Sequence, residues 1–272
     1  MTRHLNKDTT LCMSLAARPS NFGTRFHNYL YDAMELDYLY KAFTTSDLAG
    51  AIAGVRALGV RGCAISMPFK EQVIALVDEL DASAAAIHSV NTVVNTEGHL
   101  KAYNTDYIAI ATLLRQYQVD NQLPFILRGS GGMAKAVACA LKDAGFRHGK
   151  VVDRKPENAA GLAQLYGFDS GTELGDSEAG LLINATPIGM AGGAEASRLA
   201  FSLEEIKRAE VVFDVVALPE TTPLIHSARE LGKTVITGAE VFAIQAVEQF
   251  ALYTGKRPDE ALFREAAAYS RQ

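Results

Sequence analysis

A glycine-rich turn stands between a strand-like and a helix-like segment near the middle of the chain. The turn, GSGGMA at residues 129–134, follows the apolar run PFIL and precedes the alanine-rich stretch KAVACALKDAG. A strand, a G-x-G-x-x-A turn and a helix in this order are typical of a dinucleotide-binding unit. Because residues 1–128 precede the turn, the chain has room for another domain ahead of that unit.

Each position of the turn suits contact with a dinucleotide. Gly129 permits the tight turn, Gly131 lets the backbone approach a pyrophosphate, and Ala134 lets the helix pack close to the sheet. The N–H groups and positive end of that helix would meet the phosphate. A turn that needs glycines for its geometry alone is the alternative. The candidate cofactor-binding residues here are Gly129, Ser130, Gly131, Gly132, Met133 and Ala134.

Short β-branched or aliphatic runs alternate with longer segments of helical period, which predicts an α/β fold with parallel strands. The predicted strands are TLCMSL, DYLYKAF, GCAISM, PFILRG, GKVVDR, GLLINAT, AEVVFDVV and KTVITG. The predicted helices are GTRFHNYLYDAMEL, SDLAGAIAGVRALG, EQVIALVDEL, YIAIATLLRQYQ, GGMAKAVACALKDAG, ENAAGLAQLYG, AEVFAIQAVEQFALYTG and DEALFREAAAYSRQ. The segments SVNTVVN and LKAYNTD predict a β-hairpin that turns at TEGH. The regular part of this pattern predicts a nucleotide-binding domain over residues 107–238, with the closing helices packing elsewhere.

Composition excludes several classes of protein. A net charge of −5 gives no basic surface for nucleic acid. No run reaches the roughly 20 apolar residues that a membrane helix needs, and the N-terminus lacks the pattern of a secretory leader. The cysteines, Cys12, Cys63 and Cys139, are odd in number and widely spaced, which favours reduced core thiols over disulfides or a metal site. We therefore expect a cytoplasmic protein with a small-molecule substrate and no bound metal, either a monomer or a homodimer.

The end of the strand after the glycine-rich turn carries two residues with opposite implications for the cofactor. Asp153 suits the two ribose hydroxyls of NAD, whereas Arg154 suits the 2′-phosphate of NADP through charge-assisted hydrogen bonds. Arg154 and Lys155 incline the prediction toward NADP, and NAD stays open. A solvated, charged strand end is the structural alternative.

Candidate catalytic groups lie ahead of the turn. Lys70, in SMPFKEQV, follows a predicted strand, where ligand sites of α/β proteins form, and Asp106 in YNTD begins the nucleotide-binding segment. A lysine and a carboxylate facing an alcohol or ketone can manage proton transfer while a nicotinamide moves hydride. Asn91 lies in a β-branched run, where a buried amide must find partners, either in a turn or in a polyol.

Seven motifs in order resemble the shikimate dehydrogenase family over essentially the whole chain: ISMPFKE, SVNTVVN, YNTD, RGSGGMAKAV, INATPIGM, FDVVALPETTPL and TGAEVFAIQAVEQF. The resemblance implies a substrate domain over residues 1–106, completed by residues 239–272, and a Rossmann-type NADP domain over residues 107–238. It implies that Lys70 and Asp106 are the catalytic pair. It also implies substrate contacts from Ser66, Asn91 and Gln245, a 2′-phosphate contact from Arg154, and nicotinamide contacts from Thr186, Met190 and Gly238.

The departures from the family pattern cluster on the side that would hold the substrate carboxylate. Asn21 and Gly23 stand where family members have a Ser-x-Ser pair, and Ala217 stands where they have a tyrosine. Losing a hydrogen-bond partner to a charged group costs about 1.5–3 kcal/mol, so carboxylate binding is expected to be weaker. On the cofactor side, Asp153 replaces an asparagine and Arg128 replaces an apolar residue. Hydroxyl or charged groups that could replace the serines are Ser14, Arg18, Ser20 and Thr24.

These observations favour an NADP-linked enzyme that interconverts shikimate, or a similar cyclic polyhydroxy acid, and its 3-dehydro ketone. A dehydrogenase for quinate or another ring acid with NAD is a second hypothesis, motivated by Asp153 and the altered carboxylate side. A non-catalytic module that senses a dinucleotide or metabolite is a third. The presence of both Lys70 and Asp106 argues against the third, because a sensor does not need a proton-transfer pair.

Overall fold

The computed structural model of the protein describes residues 5–173 and 179–270. The chain divides into two compact units. The first unit comprises residues 1–105 and 243–272, and the second comprises residues 106–242. The sequence places the changes of domain at 106–107 and 238–239.

The first unit contains a six-stranded mixed sheet in the order β2-β1-β3-β5-β6-β4. Its strands are β1 (Thr10–Leu15), β2 (Tyr38–Phe43), β3 (Gly62–Ile65), β4 (Glu79–Leu80), β5 (Thr92–Thr96) and β6 (His99–Tyr103). Strand β1 runs parallel to β2 and β3, whereas β5 runs antiparallel to β3 and β6. The β5–β6 pair is the predicted hairpin. Its turn uses Glu97 and Gly98, both with positive φ, at the predicted TEGH.

Helices cover both faces of the first sheet. They are α1 (Phe22–Ala33), α2 (Leu48–Ala57), the single turn α3 (Ala82–Ala85), α9 (Gly238–Thr254), which enters this unit at residue 243, and α10 (Glu260–Ser270). Strand β1 shows how the sheet is covered: Met13 and Leu15 pack in one apolar cluster with α2, while Cys12 packs in another with residues of α1, α9 and α10. The C-terminal helices therefore complete the core of the first unit.

The second unit contains an all-parallel sheet in the order β12-β11-β10-β7-β8-β9. Its strands are β7 (Phe125–Arg128), β8 (Gly149–Val152), β9 (Asp169–Gly171), β10 (Leu181–Asn184), β11 (Val211–Asp214) and β12 (Thr234–Thr237). Its helices are α4 (Thr105–Gln116), α5 (Gly132–Asp143), α6 (Pro156–Tyr166), α7 (Leu203–Arg208) and α8 (Pro223–Glu230). This is the Rossmann strand order, in which the direction of winding reverses between β7 and β10. Ligands of such sheets bind at the carboxyl ends of the strands beside that reversal.

Most predicted elements are present, and the predicted α/β fold class is confirmed. One helix was wrong: EQVIALVDEL forms a 3-10 turn over Gln72–Leu76 followed by β4. Asp78 leaves the helical path because its N–H donates to the carbonyl of Leu100, and its carboxylate accepts from the Leu100 N–H and from Arg56. Strand pairing with β6 thus outweighs local helix propensity. Strand β9 and helix α3 were not predicted. Among the described residues, no helix is both long and apolar enough to span a bilayer.

Candidate active site

Asn91 joins the ends of several elements in the first unit. Its N–H donates to the carbonyl of Tyr103 (3.1 Å), and its carbonyl accepts from the N–H of Ile65 (2.8 Å). The same carbonyl accepts from Gln249 Nε2 of α9 (3.2 Å). These bonds hold Asn91 where β3 ends, β5 begins and β6 ends.

The side-chain amide of Asn91 is satisfied at only one end. Its Oδ1 accepts from Thr92 Oγ1 (2.8 Å), from the N–H of Thr105 (2.8 Å) and from Thr105 Oγ1 (3.1 Å). Its Nδ2 is buried and has no hydrogen-bond partner in the described part of the chain. A buried amide donor without an acceptor costs about 1–3 kcal/mol, which a ligand hydroxyl would recover. The amide is therefore fixed in position, and its donor end is not used within the described part of the chain.

Three other predicted substrate-domain residues are connected to Asn91 through one intermediate residue each. The carbonyl of Lys70 accepts from the N–H of Val90 (2.8 Å), which places Lys70 next to the segment that leads into Asn91. Ser66 follows Ile65 directly and is exposed. Gln245 Oε1 lies 3.3 Å from Thr105 Oγ1. Ser66, Lys70 and Gln245 are thus each bonded or adjacent to a residue that is itself bonded or adjacent to Asn91. Asp106 comes next after Thr105, is buried, and is the first residue of the second unit.

Asn21 and Gly23 lie at the start of α1, Asn21 at the N-cap and Gly23 in the first turn. Asn21 is exposed at the start of α1, and its side chain does not cap the helix. A Cβ added at Gly23 would lie 3.3 Å from both Cε1 and the hydroxyl oxygen of Tyr40. Tyr40 is buried, which raises the pKa of its phenol, and it is hydrogen-bonded to Ser14. A side chain at position 23 would therefore press on the Tyr40 ring, which would have to move by a few tenths of an ångström.

The glycine-rich turn of the second unit has the geometry of a phosphate cradle. Gly129 has φ of +112°, and a Cβ there would lie 2.7 Å from the carbonyl oxygen of Ala185. A Cβ at Gly131 or Gly132 would meet nothing within 4 Å, so the space over these backbone N–H groups is open. Gly131 precedes α5 and provides no side-chain cap, which leaves the first N–H groups of the helix for an anion. Ala134 is fully buried against the sheet. These residues fit a dinucleotide.

The carboxylate of Asp153 is bonded to the same turn. Its Oδ2 accepts from Ser130 Oγ (2.7 Å), and its Oδ1 accepts from the N–H of Lys155 (2.9 Å). Asp153 therefore fixes the turn against the end of β8, in addition to any role toward a ribose. Arg154, the next residue, is exposed.

A second polar network fixes the loops after β10 and β11, and sequence reasoning did not select it. Asn184 Nδ2 donates to Asp214 Oδ1 (3.0 Å), and Thr222 Oγ1 donates to Asp214 Oδ2 (2.6 Å). Burial raises the pKa of Asp214 to about 6, although its hydrogen bonds act in the opposite direction. Polar residues at the ends of two apolar strands, in INAT and VVFD, were the signal that could have identified this pair.

The network also positions Thr186 of the predicted nicotinamide side. Its N–H and its Oγ1 both donate to Asn184 Oδ1, at 3.1 and 2.6 Å. Met190, farther along the same loop, is 42% exposed. Gly238 begins α9, and a Cβ there would lie 2.4 Å from the carbonyl oxygen of Val215. Only glycine permits this close approach of backbone to backbone.

Thr105 and Gln249 are the other contributors that sequence reasoning missed. Thr105 lies inside YNTD, and Gln249 lies one helical turn beyond Gln245, so their motifs were recognised but these two positions were not. Among the described residues, no group of three or more His, Cys, Asp or Glu side chains could hold a metal ion.

Comparisons with known proteins agree on one family. A family model described as the shikimate dehydrogenase substrate binding domain matches residues 22–93. A shikimate dehydrogenase-like protein of Haemophilus influenzae is 54% identical over 267 residues, which is 98% of each chain. A shikimate dehydrogenase (NADP+) of Pyrococcus abyssi is 36% identical over 242 residues, 88% of this chain and 89% of that one. The chain belongs to the shikimate dehydrogenase family.

Solved structures of the family have the same fold. A shikimate 5-dehydrogenase-like protein superposes with a TM-score of 0.97 at 54% identity, covering 99% of this chain and all of that one. The Thermus thermophilus shikimate 5-dehydrogenase in complex with NADP(H) and shikimate gives 0.85 at 29% identity, covering 96% and 99%. A Corynebacterium glutamicum quinate dehydrogenase in complex with NAD gives 0.86 at 28% identity, covering 95% and 98%.

The predicted family, fold class and enzyme class are therefore confirmed. NADP is the cofactor named for the Pyrococcus and Thermus relatives of the shikimate dehydrogenase family. The roles of individual residues remain predictions.

Proposed function

We propose that this member of the shikimate dehydrogenase family oxidises a ring hydroxyl of a cyclic polyhydroxy acid to a ketone, reversibly and with NADP. Shikimate and 3-dehydroshikimate are the reference pair. The observation that carries the proposal is the Asn91 amide: its oxygen is saturated by three donors while its buried Nδ2 has no acceptor. A hydroxyl-rich ligand supplies the acceptor that this donor needs.

The proposed roles divide between the units. The first unit binds substrate through Asn91, Ser66 and Gln245, and the second binds the dinucleotide at the glycine-rich turn. NADP, when bound, accepts or returns the hydride. Lys70 accepts the hydroxyl proton or stabilises the developing alkoxide, and Asp106 holds the hydroxyl and tunes the lysine.

NADP is the proposed cofactor because the chain has an exposed guanidinium, Arg154, after β8, and because the Pyrococcus abyssi and Thermus thermophilus relatives are named with NADP. Gly131 and Gly132 leave open space over the helix N-terminus, which suits the pyrophosphate. Thr186, Met190 and Gly238 are proposed to line the nicotinamide half.

Quinate or another ring acid with NAD is the second candidate, and two observations favour it. Asp153 is a carboxylate at the position where NAD enzymes bind the ribose diol. Gly23 lacks a hydroxyl, and Tyr40 fills the space next to it, so the predicted carboxylate side differs from the Ser-x-Ser pattern. A quinate dehydrogenase that binds NAD shares the fold.

Initial rates over a panel of shikimate, quinate and further ring acids, each with NADP and with NAD, test the proposal. We expect measurable NADP reduction with shikimate and at least a 100-fold loss of turnover in Lys70→Ala, since general acid–base catalysis contributes about 10²–10⁴-fold. Lys256→Ala is the control, because Lys256 is an exposed lysine of the first unit.

Near-normal turnover in Lys70→Ala would show that the catalytic assignment is wrong. A preference for quinate with NAD would favour the second candidate. A protein that binds NADP but oxidises nothing on the panel would instead support a sensing module.

A further inference from the structure

Gln249 is a buried polar residue on a largely apolar face of α9. It is 5% exposed, and it shares its side of the helix with Ala246, Phe250 and Tyr253, at spacings of three and four residues. Those three residues pack in the apolar cluster that also contains residues of α1 and α10. Because a buried amide is costly unless its hydrogen bonds are made, the contacts of Gln249 indicate what it does.

The orientation of the Gln249 amide is set by a backbone group. Its Nε2 lies 3.2 Å from the carbonyl oxygen of Asn91, which can only accept a hydrogen bond, so the NH₂ end of the amide faces Asn91. The same Nε2 lies 2.9 Å from Thr92 Oγ1. Since an amide nitrogen has two protons, one for each of these oxygens, both donor positions of Gln249 are used.

Thr92 connects Gln249 to the side chain of Asn91. A hydroxyl has one proton to donate, and Gln249 Nε2 cannot accept it. The Thr92 proton is therefore directed to Asn91 Oδ1, which lies 2.8 Å away. Thr92 is fully buried, so water does not compete for this proton. These contacts form a chain of hydrogen bonds in one direction, from Gln249 through Thr92 to Asn91.

The hydroxyl of Thr105 is not committed to Asn91 in the same way. It lies 3.1 Å from Asn91 Oδ1 and 3.3 Å from Gln245 Oε1, and it has one proton for the two oxygens. The committed donors to Oδ1 are therefore the N–H of Thr105 and the hydroxyl of Thr92. The second of them owes its direction to Gln249.

We propose that Gln249 is a positioning residue for substrate binding, which acts through Thr92 to hold the Asn91 amide with Nδ2 directed to a substrate hydroxyl. This inference rests on the proposed contact of Asn91 with substrate. Gln249 itself does not touch the substrate in this arrangement. A purely structural glutamine would affect folding stability alone, whereas a positioning glutamine also affects the KM.

Steady-state oxidation of the best substrate of the panel (shikimate, in our proposal) at saturating NADP tests this role, with Tm measured in parallel. Gln249→Met and Thr92→Val keep side chains of similar shape but remove the hydrogen bonds. We expect Gln249→Met to raise the KM about 3-fold to 10-fold, the value of one hydrogen bond. The kcat should change less than about 2-fold, because Gln249 does not contact the reacting atoms.

The double variant tests whether Gln249 acts through Thr92. We expect Thr92→Val to raise the KM by a similar factor, and the double variant to exceed the larger single effect by less than about 2-fold, because both substitutions break the same chain. Thr92→Ser keeps the hydroxyl and should retain a KM close to that of wild type.

Two substitutions elsewhere are the controls. Gln164→Met makes the same change at an exposed glutamine of α6. Ser270→Ala removes a buried hydrogen bond of the first unit, from Ser270 Oγ to the carbonyl of Ala266, which does not involve the Asn91 network. We expect Ser270→Ala to lower the Tm with the KM unchanged. If Gln249→Met does not fold, Gln249→Asn, whose amide is one methylene shorter, should raise the KM in the same way.

A lower Tm with an unchanged KM in Gln249→Met would overturn the inference and show that Gln249 is structural. KM effects that multiply in the double variant would also overturn it, because the two residues would then act independently. A wild-type protein that oxidises no acid of the panel would refute the proposed function itself, whereas oxidation with a KM indifferent to Gln249 would refute this inference alone.

Discussion

Each unit contains a buried asparagine next to a strand end, Asn91 in the first and Asn184 in the second, but the two amides are satisfied differently. The Nδ2 of Asn184 donates to the carbonyl of Ile188 and to Asp214, and its Oδ1 accepts twice from Thr186. The Asn91 amide collects three donors on Oδ1 and leaves Nδ2 without an acceptor among the described residues.

Under the proposed function, the difference separates a structural role of Asn184 from a substrate-binding role of Asn91. A closed network such as that of Asn184 fixes loops, and all its hydrogen-bonding capacity is used within the protein. The open network of Asn91 fixes one donor in direction without giving it an acceptor, which agrees with our proposal that this donor binds substrate. We therefore expect an Asn→Asp substitution to lower mainly the stability at position 184 and to raise mainly the KM at position 91.

The largest expected effect is the loss of stability in Asn184→Asp. The new carboxylate would put an oxygen about where Nδ2 now donates to Asp214, at 3.0 Å, and two buried carboxylates would repel each other. We expect the free energy of unfolding to fall by about 3 kcal/mol, which corresponds to a drop in Tm of roughly 6–12 °C. Thermal unfolding followed by circular dichroism measures it, and a change below about 2 °C would show that the network is not closed as described.

The next expected effect is a pH dependence of the free energy of unfolding, caused by Asp214 in the closed network around Asn184. The pKa of Asp214 is raised from 3.8 to about 6 in the folded state, so the folded protein holds more protons than the unfolded chain between these values. Stability contributed by this group therefore decreases as pH rises from about 4 to 6. The decrease is about 3 kcal/mol, because a tenfold change in a proton-binding constant corresponds to about 1.4 kcal/mol. Urea unfolding of wild type and Asp214→Asn from about pH 4 to 8 isolates this slope, because the other carboxylates are common to both. If the free energies of unfolding of wild type and Asp214→Asn changed with pH in the same way, the raised pKa of Asp214 would be contradicted.

The smallest expected effect is a difference in stability between serine substitutions at two glycines of the first unit. Gly23 in α1 and Gly54 in α2 are both helical, but a Cβ at Gly23 would press on Tyr40, whereas one at Gly54 would meet nothing within 4 Å. We expect Gly23→Ser to lower the free energy of unfolding by about 1 kcal/mol through overpacking and Gly54→Ser to leave it equal or slightly higher. Gly23→Ser should also fail to lower the KM for shikimate. A lower KM would show that position 23 still serves the substrate carboxylate.

Helices, strands and turns were predicted correctly from the sequence where local signals such as glycines or β-branched runs are strong. The hairpin of β5 and β6 was predicted from two β-branched runs around TEGH, and the turn before α5 from its glycines. EQVIALVDEL was wrong because Asp78 is paired with Leu100, 22 residues away. Local propensity contains no information about such a partner.

Site residues were likewise predictable only where they belong to a recognisable sequence motif. Asn91 and Lys70 were identified from motifs, but the contact of Asn91 with Thr105 spans 14 residues, and that of Asn184 with Asp214 spans 30. The packing of Tyr40 against Gly23 depends on how β2 lies against α1. These relations arise from tertiary structure, so a motif alone could not distinguish the open amide from the closed one.

Asn91→Asp tests the central claim most directly, with the best substrate of the panel at saturating NADP. The three donors on Oδ1 favour an ionised carboxylate, which keeps those bonds but cannot donate to a substrate hydroxyl. We predict a rise in KM of about 10-fold or more, with a Tm that falls much less than in Asn184→Asp. An unchanged KM together with a Tm loss as large as that of Asn184→Asp would show that Asn91 is structural and would contradict the account.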